Sequence, residues 1–274
     1  MAKSALLKSS LAKKYWMAFT GLFLCLFLVG HLAGNLQLIF GTALKFNEYA
    51  LFMTTNPAVK LLSYVTYISI LFHAIDGILL TIQNKKARPI GYVKNNAASN
   101  SAWSSRNMAL LGTLILVFIA THMMNFWAKM HFAEMPLLTT SVTNTQGVEE
   151  QLYYTTNGGY IPVGDSRFVL KDRTDFYDET GKVKIGSGYK DLYKITVDFF
   201  KDPKYGLAFT LFYVFSMLVL AFHLQHGFGS AFQSLGASNP KYNPFIKGLG
   251  KGFAILVPLL FAIIPLYIHF ILKA

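Results

Sequence analysis

Seven histidines are spread through a chain of 274 residues, and five of them fall inside long apolar runs. His31 sits in GLFLCLFLVGHLAGN at 21–35, His73 in a run at about 58–82, and His122 in one at about 108–128. His223 and His226 share a run at about 205–231. An imidazole in hydrocarbon costs free energy unless something binds it. One such residue would read as an interhelical hydrogen bond. At least one on each of four runs points to metal, because pairs of neutral imidazoles ligate haem iron axially without help from thiolates or carboxylates. The single cysteine, Cys25, lies in the first run, so no disulfide forms within the chain, and no CxxCH is present to attach haem covalently.

The elements that must position these residues follow from hydropathy. The chain is 53% hydrophobic and 14% charged, with a mean hydropathy of +0.40. That is too apolar for an ordinary soluble domain. A membrane helix needs roughly 20 mostly apolar residues, and five segments qualify, at about 15–40, 58–82, 108–128, 205–231 and 252–272. The first is longer than the ~7–15 apolar residues of a signal peptide and has no small-x-small site, so it reads as a retained helix. The expected fold is an all-α integral membrane protein, one domain of five transmembrane helices bundled around two stacked haems.

Charge sets the topology. Lys3, Lys8, Lys13 and Lys14 precede the first helix, Lys85, Lys86, Arg88, Lys94 and Arg106 join the second to the third, and Lys241, Lys247 and Lys251 join the fourth to the fifth. None of these segments holds an acid, all three fall on one side of a five-helix protein, and the positive-inside rule makes that side cytoplasmic, N-terminus included. The net charge of +12 is thereby read as topology and not as nucleic-acid binding. On the other side lie a short loop at about 41–57 and a long one at about 129–204. The long loop carries 10 basic and 11 acidic residues, with turn signals at Asn157-Gly158-Gly159 and Glu179-Thr180-Gly181. It is expected to form a small hairpin-containing cap. Residues 189–200 form an amphipathic lead into the fourth helix.

Helical rise then sorts the histidines by depth. At about 1.5 Å per residue, His31 and His122 lie about 21–24 Å from the cytoplasmic ends of their helices, and His73 and His223 about 10–14 Å. His31 is expected to pair with His122 in an outer site, and His73 with His223 in an inner one. A flat macrocycle needs backbone to come close beside each ligand, which glycine permits. Gly77 and Gly227 follow His73 and His223 by four, and Gly34 follows His31 by three, whereas His122 has only Gly112 further back. His226 competes with His223, but depth and the H-x-x-x-G spacing favour His223. His131 and His269 fall at the outer interface.

The segments TGLFLCLFLVGH (20–31), FHAIDGILL (72–80) with NKKARP (84–89), ATHMMNFW (120–127) and FHLQHGFGSAFQSLG (222–236) make the chain similar to the cytochrome b membrane subunit of succinate:quinone oxidoreductases, the succinate dehydrogenases and fumarate reductases, in the single-chain five-helix di-haem class. The resemblance implies two haem b groups, the outer held by the first and third helices and the inner by the second and fourth. It implies a flavoprotein with FAD and an iron–sulfur subunit docked on the cytoplasmic face of a bacterial inner membrane, with menaquinone or ubiquinone as substrate. The chain itself has no flavin motif, cysteine cluster or dicarboxylate site. It would anchor the complex, carry electrons and contribute to the quinone site, and higher oligomers of the complex are compatible with that role. The long outer loop departs from compact members of the family. Two rival readings are a di-haem anchor of another respiratory oxidoreductase and a haem-free membrane transporter.

Four further residues are candidates for quinone or proton handling. Asp76 is the one acid inside an apolar segment, three residues after His73; its bland reading is a pairing with another helix. Glu48 lies in the short outer loop, where the family can use an acid for quinol protons, or else it pairs with Lys45. Asn35 and Gln37 sit near His31 and could bond a quinone carbonyl or simply each other. Arg106, Ser230, Lys14, Trp16 and Gln233 lie near the cytoplasmic helix ends, where haem propionates need cationic or hydroxyl partners.

Overall fold

The structure is a computed structural model that describes residues 9–87, 89–90, 96, 99, 101–143 and 145–273. Of the basic residues used above, Lys3, Lys8, Arg88 and Lys94 lie outside the described residues. Among the described residues five helices are long and apolar enough to cross a membrane: Leu11–Phe40, Pro57–Ala87, Met108–Phe132, Gly206–Ser234 and Asn243–Phe270. Their apolar side chains face outward in rows. On the second, Leu61, Ile68, Leu71, Phe72 and Ile82 are all exposed. In water such a surface would cost about 25 cal/mol per Å², and in lipid it costs nothing.

The first span comprises α1 (Ser10–Asn35) and a short α2 (Gln37–Phe40). The stretch expected as a short loop at 41–57 is instead a helix, α3 (Ala43–Thr55), capped by the Thr42 hydroxyl accepting from the Lys45 amide. Its buried face is narrow, Phe46 and Asn47, too little to register as an apolar run. The second span, α4 (Pro57–Ala87), begins with Asn56 accepting from the Ala58 amide at 3.0 Å and Pro57 in the first turn, where a missing N–H is harmless. It runs five residues further than expected. A short α5 (Trp103–Arg106) leads into α6 (Met108–His122). The third span then continues through a π-helical turn, Met123–Ala128, and ends in α7 (Lys129–Phe132).

The long segment between the third and fourth spans forms more than one hairpin. Strands β1 (Thr139–Thr143), β2 (Glu149–Tyr154) and β3 (Tyr160–Pro162) make one antiparallel sheet. Strands β4 (Phe168–Lys171), β5 (Asp175–Asp178) and β6 (Lys184–Ser187) make a second. Bridges Leu137↔Lys190 and Thr155↔Gly188 stitch the two together, over a small core of Leu137, Ile161 and Phe176. The β4–β5 turn places Asp172 (φ 49°) and Arg173 (φ 68°) in the left-handed region. That conformation is uncommon for arginine. Here the Arg173 guanidinium donates to the carbonyls of Phe132 and Ala133 at the end of the third span.

The amphipathic lead is present as α8 (Leu192–Lys201), with Val197 and Phe200 buried. The fourth span is α9 (Gly206–Ser234) and the fifth is α10 (Asn243–Phe270), which begins about nine residues earlier than hydropathy alone marks it. Gly250 lets these two approach, because a Cβ there would meet the Phe228 ring at 2.7 Å. The main core joins Leu32, Phe46, Phe200, Tyr213, Val257 and Ile268 at the cap side of the bundle.

Candidate functional site

One cavity of about 2250 Å³ runs along the bundle, from Lys14 and Gln233 at the N-terminal end to Lys190 and Thr156 beneath the cap. Ligand pockets usually span about 300–1,000 Å³, so the volume exceeds what two large ligands need. His31, His73, His122, His223 and His226 all line it.

Four of these form two pairs. The rings of His31 and His122 lie 5.8 Å apart, centre to centre, at 86°. Those of His73 and His223 lie 6.2 Å apart at 66°. Two metal–imidazole bonds of about 2.0–2.1 Å, each extended by roughly 1.1 Å from nitrogen to ring centre, place two trans imidazoles about 6.3 Å apart. The separations of 5.8 and 6.2 Å lie within about half an ångström of that value, and each pair joins two different spans. Among the described residues no set of three or more His, Cys, Asp or Glu gathers around a point, and the groups that face each other at each place are two imidazoles. A cavity of this volume lined by two facing imidazole pairs is compatible with haem b as the bound group.

Neighbours hold the rings by Nδ1. Thr20 Oγ lies 3.3 Å from His73 Nδ1, and the Tyr213 hydroxyl 3.4 Å from His122 Nδ1. The Asn35 amide nitrogen is 3.4 Å from His31 Nδ1, although its shorter bond, 2.8 Å, goes to the His31 carbonyl. His223 Nδ1 is buried, with no hydrogen-bond partner among the described residues. Aromatic rings pack around the cap-side pair: Phe27 stacks on His31 at 5.3 Å and Phe118 on His122 at 5.6 Å. The π-helical turn starts directly after His122, a distortion often found at functional positions.

His226 is placed differently. Its Nε2 lies 3.1 Å from the hydroxyl of Ser230, one turn along the same helix, while His223 faces His73. Gly77 and Gly227 line the cavity, with only Met17 at 4.0 Å from a Cβ on the former and nothing within 4 Å of one on the latter. Gly34 also lines it, but its missing Cβ makes room for the ring of Tyr49. Gly112 faces His223, not His122: a Cβ there would lie 3.8 Å from its Cε1.

The other candidates scatter. Gln37 lines a small separate pocket with Phe40 and Lys45 and does not meet Asn35. Glu48 is exposed on α3; among the described residues no ion pair joins it to Lys45. The residue before it, Asn47, is the buried one. Asp76 is half-buried beside His73, with Lys13 of α1 acting on it electrostatically. Arg106 donates to the Ser101 carbonyl. His131 packs on Trp127 at 4.5 Å, and His269 Nδ1 bonds the Phe200 carbonyl at 2.6 Å. Sequence reasoning passed over Gly21 and Tyr213, which line the cavity, and Thr20, buried beside His73; each is a single polar or small residue in an apolar run.

No family model, curated protein or solved structure was found to match the chain.

Proposed function

We propose that this chain is the membrane anchor and electron-transfer subunit of a succinate:quinone oxidoreductase, carrying electrons between an iron–sulfur partner and quinone by way of two bis-histidine haem b groups. The observation that carries the reading is the pair of imidazole separations, 5.8 and 6.2 Å, at two places in one cavity that runs the length of the bundle. The resemblance of the four histidine-bearing segments to that family supports it independently.

His31 and His122 would hold one group and His73 and His223 the other. Haem b bound there supplies one-electron ferric–ferrous chemistry. The protein's part is geometric and electrostatic. Helices from different spans bring together the two imidazoles that would hold each group. Phe27, Phe118 and Phe261 keep water from the cap-side pair. The basic N-terminal side, with Lys13, Lys14, Lys85, Lys86, Lys241, Lys247 and Lys251, would face the cytoplasm of a bacterial cell and meet the iron–sulfur and flavoprotein subunits.

The test is a dithionite-reduced minus oxidised visible spectrum of the purified full-length chain, with haem quantified per polypeptide. Two b-type haems per chain are expected. A folded protein expressed with ample haem that carries none would overturn the reading.

A further inference from the structure

Thr20 and Gly21 open the sequence segment that carries the family resemblance. They form the seat of one imidazole. A Cβ on Gly21 would lie 3.2 Å from His73 Cε1 and 3.6 Å from its Nδ1, so the ring rests against bare backbone of α1. Thr20 Oγ lies 3.3 Å from the same Nδ1.

The direction of that hydrogen bond is fixed by the rest of the Thr20 hydroxyl's surroundings. A hydroxyl has one hydrogen and two lone pairs. The Thr20 hydroxyl donates its hydrogen to the Trp16 carbonyl at 2.7 Å, one turn back, with the Met17 carbonyl at 3.3 Å. A helical carbonyl can only accept. The hydrogen is committed there, and the oxygen presents lone pairs to His73. Nδ1 must therefore carry the ring hydrogen, which leaves Nε2 as the bare nitrogen that a metal takes.

We infer that Thr20, seated by Gly21, is the positioning residue that fixes His73 in its Nδ1–H, metal-binding tautomer and sets its donor strength. The inference rests on the haem reading above. It makes the two ligands of one site unlike. His73 donates to an acceptor, which raises the basicity of its ligating nitrogen, whereas His223 Nδ1 has no partner among the described residues. A more basic ligand favours the oxidised metal, so Thr20 holds the potential of this site down.

The experiment is a redox titration with low-temperature EPR on purified full-length protein, comparing wild type with Thr20→Val, Thr20→Ser and Gly21→Ala. Thr20→Val keeps the shape and removes the acceptor. It is expected to raise the midpoint potential of one haem, move that haem's low-spin EPR signal and leave the other haem unchanged. Thr20→Ser is expected to restore both values. Gly21→Ala is expected to shift the same EPR signal by tilting the ring. If Thr20→Val retains both haems at wild-type potentials and signals, or shifts both haems alike, the inference is wrong. If Thr20→Val does not fold, Thr20→Ser against Gly21→Ala decides: an EPR signal unmoved by Gly21→Ala overturns it. Wild-type protein without haem instead sinks the function proposed above, a result visible before any variant is made.

Discussion

Asn47 and Asp191, 144 positions apart, are both buried and are joined by a hydrogen bond of 2.9 Å from the Asn47 amide to the Asp191 carboxylate. The same carboxylate oxygen caps α8 by accepting from the Lys194 amide at 2.9 Å. The Asn47 carbonyl in turn accepts from the Tyr193 amide at 3.0 Å. One side-chain amide thus ties the short helix after the first span to the amphipathic helix before the fourth.

Removing that amide leaves a buried carboxylate and a buried N–H short of partners, a loss worth about 1–3 kcal/mol. Asn47→Ala is expected to lower the unfolding temperature of the detergent-solubilised protein. Asn47→Asp is expected to be worse, since it sets two carboxylates against each other. Thermal unfolding that leaves both variants at the wild-type value would remove this tie from the account of stability.

The histidine pairing predicts losses that come in twos. His31→Ala and His122→Ala are expected to remove the same haem, and His73→Ala and His223→Ala the other, read as haem per chain and as which EPR signal disappears. His226→Ala is expected to retain both, because its Nε2 is turned to Ser230. Loss of a haem in His226→Ala with retention in His223→Ala would reverse the ligand assignment.

Much of this was legible in the sequence for a physical reason. Hydropathy is a local property, and helical rise is constant, so a residue's depth follows from its count along a span. That is enough to bring His31 to His122 and His73 to His223. What depth cannot supply is rotation. Whether Thr20, Gly21, Tyr213 or Gln37 faces the cavity depends on how each helix is turned, and a hydroxyl bonded back to its own helix looks alike in either case. Gly34 shows this: three residues from His31, it serves Tyr49. The cap was harder again. Its strands are short, and pairings such as Thr155↔Gly188 join residues far apart in the chain. The α3 helix was hidden because Phe46 and Asn47 are its only buried residues.

The cap has its own pH response. Lys184 bonds the Asp175 carboxylate at 2.6 Å and the Ser187 hydroxyl donates to it at 2.7 Å, and the lysine above all holds this carboxyl below its usual range. A group whose folded pKa is depressed stabilises the fold above its unfolded pKa, about 4 for Asp, and the contribution is lost as pH falls through the lower, folded value. The second sheet is therefore expected to loosen below about pH 4, seen as faster proteolysis between β4 and β6. Asp175→Asn is expected to flatten that dependence. An identical pH profile in the variant would show that Asp175 does not carry it.

Packing of the last two spans hinges on a hydrogen atom. A methyl on Gly250 would sit 2.7 Å from the Phe228 ring, well inside contact distance and against a buried side chain with little freedom to move. Overpacking of this kind costs about 1–3 kcal/mol. Gly250→Ala is expected to destabilise the protein by that amount, and Phe228→Leu in the same chain is expected to recover part of it, because it removes the atom the methyl strikes. Additive losses in the double variant would place the strain elsewhere.

The cap is held to the bundle through carbonyls that a helix end leaves free. Lys190 Nζ donates to the Met130 carbonyl at 2.8 Å, and Arg173 to those of Phe132 and Ala133. These are last-turn acceptors of the third span, where cations are favoured by hydrogen bonding and by the helix dipole. Lys190 also lines the cap-side end of the cavity, with Thr156, Thr174 and Ser187, so the cap roofs the space beside His31 and His122. Arg173→Gly should keep the β4–β5 turn, since glycine adopts positive φ freely, while losing the pin. Combined with Lys190→Met it is expected to free the cap without unfolding the spans. Hydrogen exchange would then rise across 133–190 and at the end of the third span, and remain unchanged in α9 and α10. Protection that stays at wild-type level in the double variant would mean that the bridges at Leu137 and Thr155 hold the cap without these two cations.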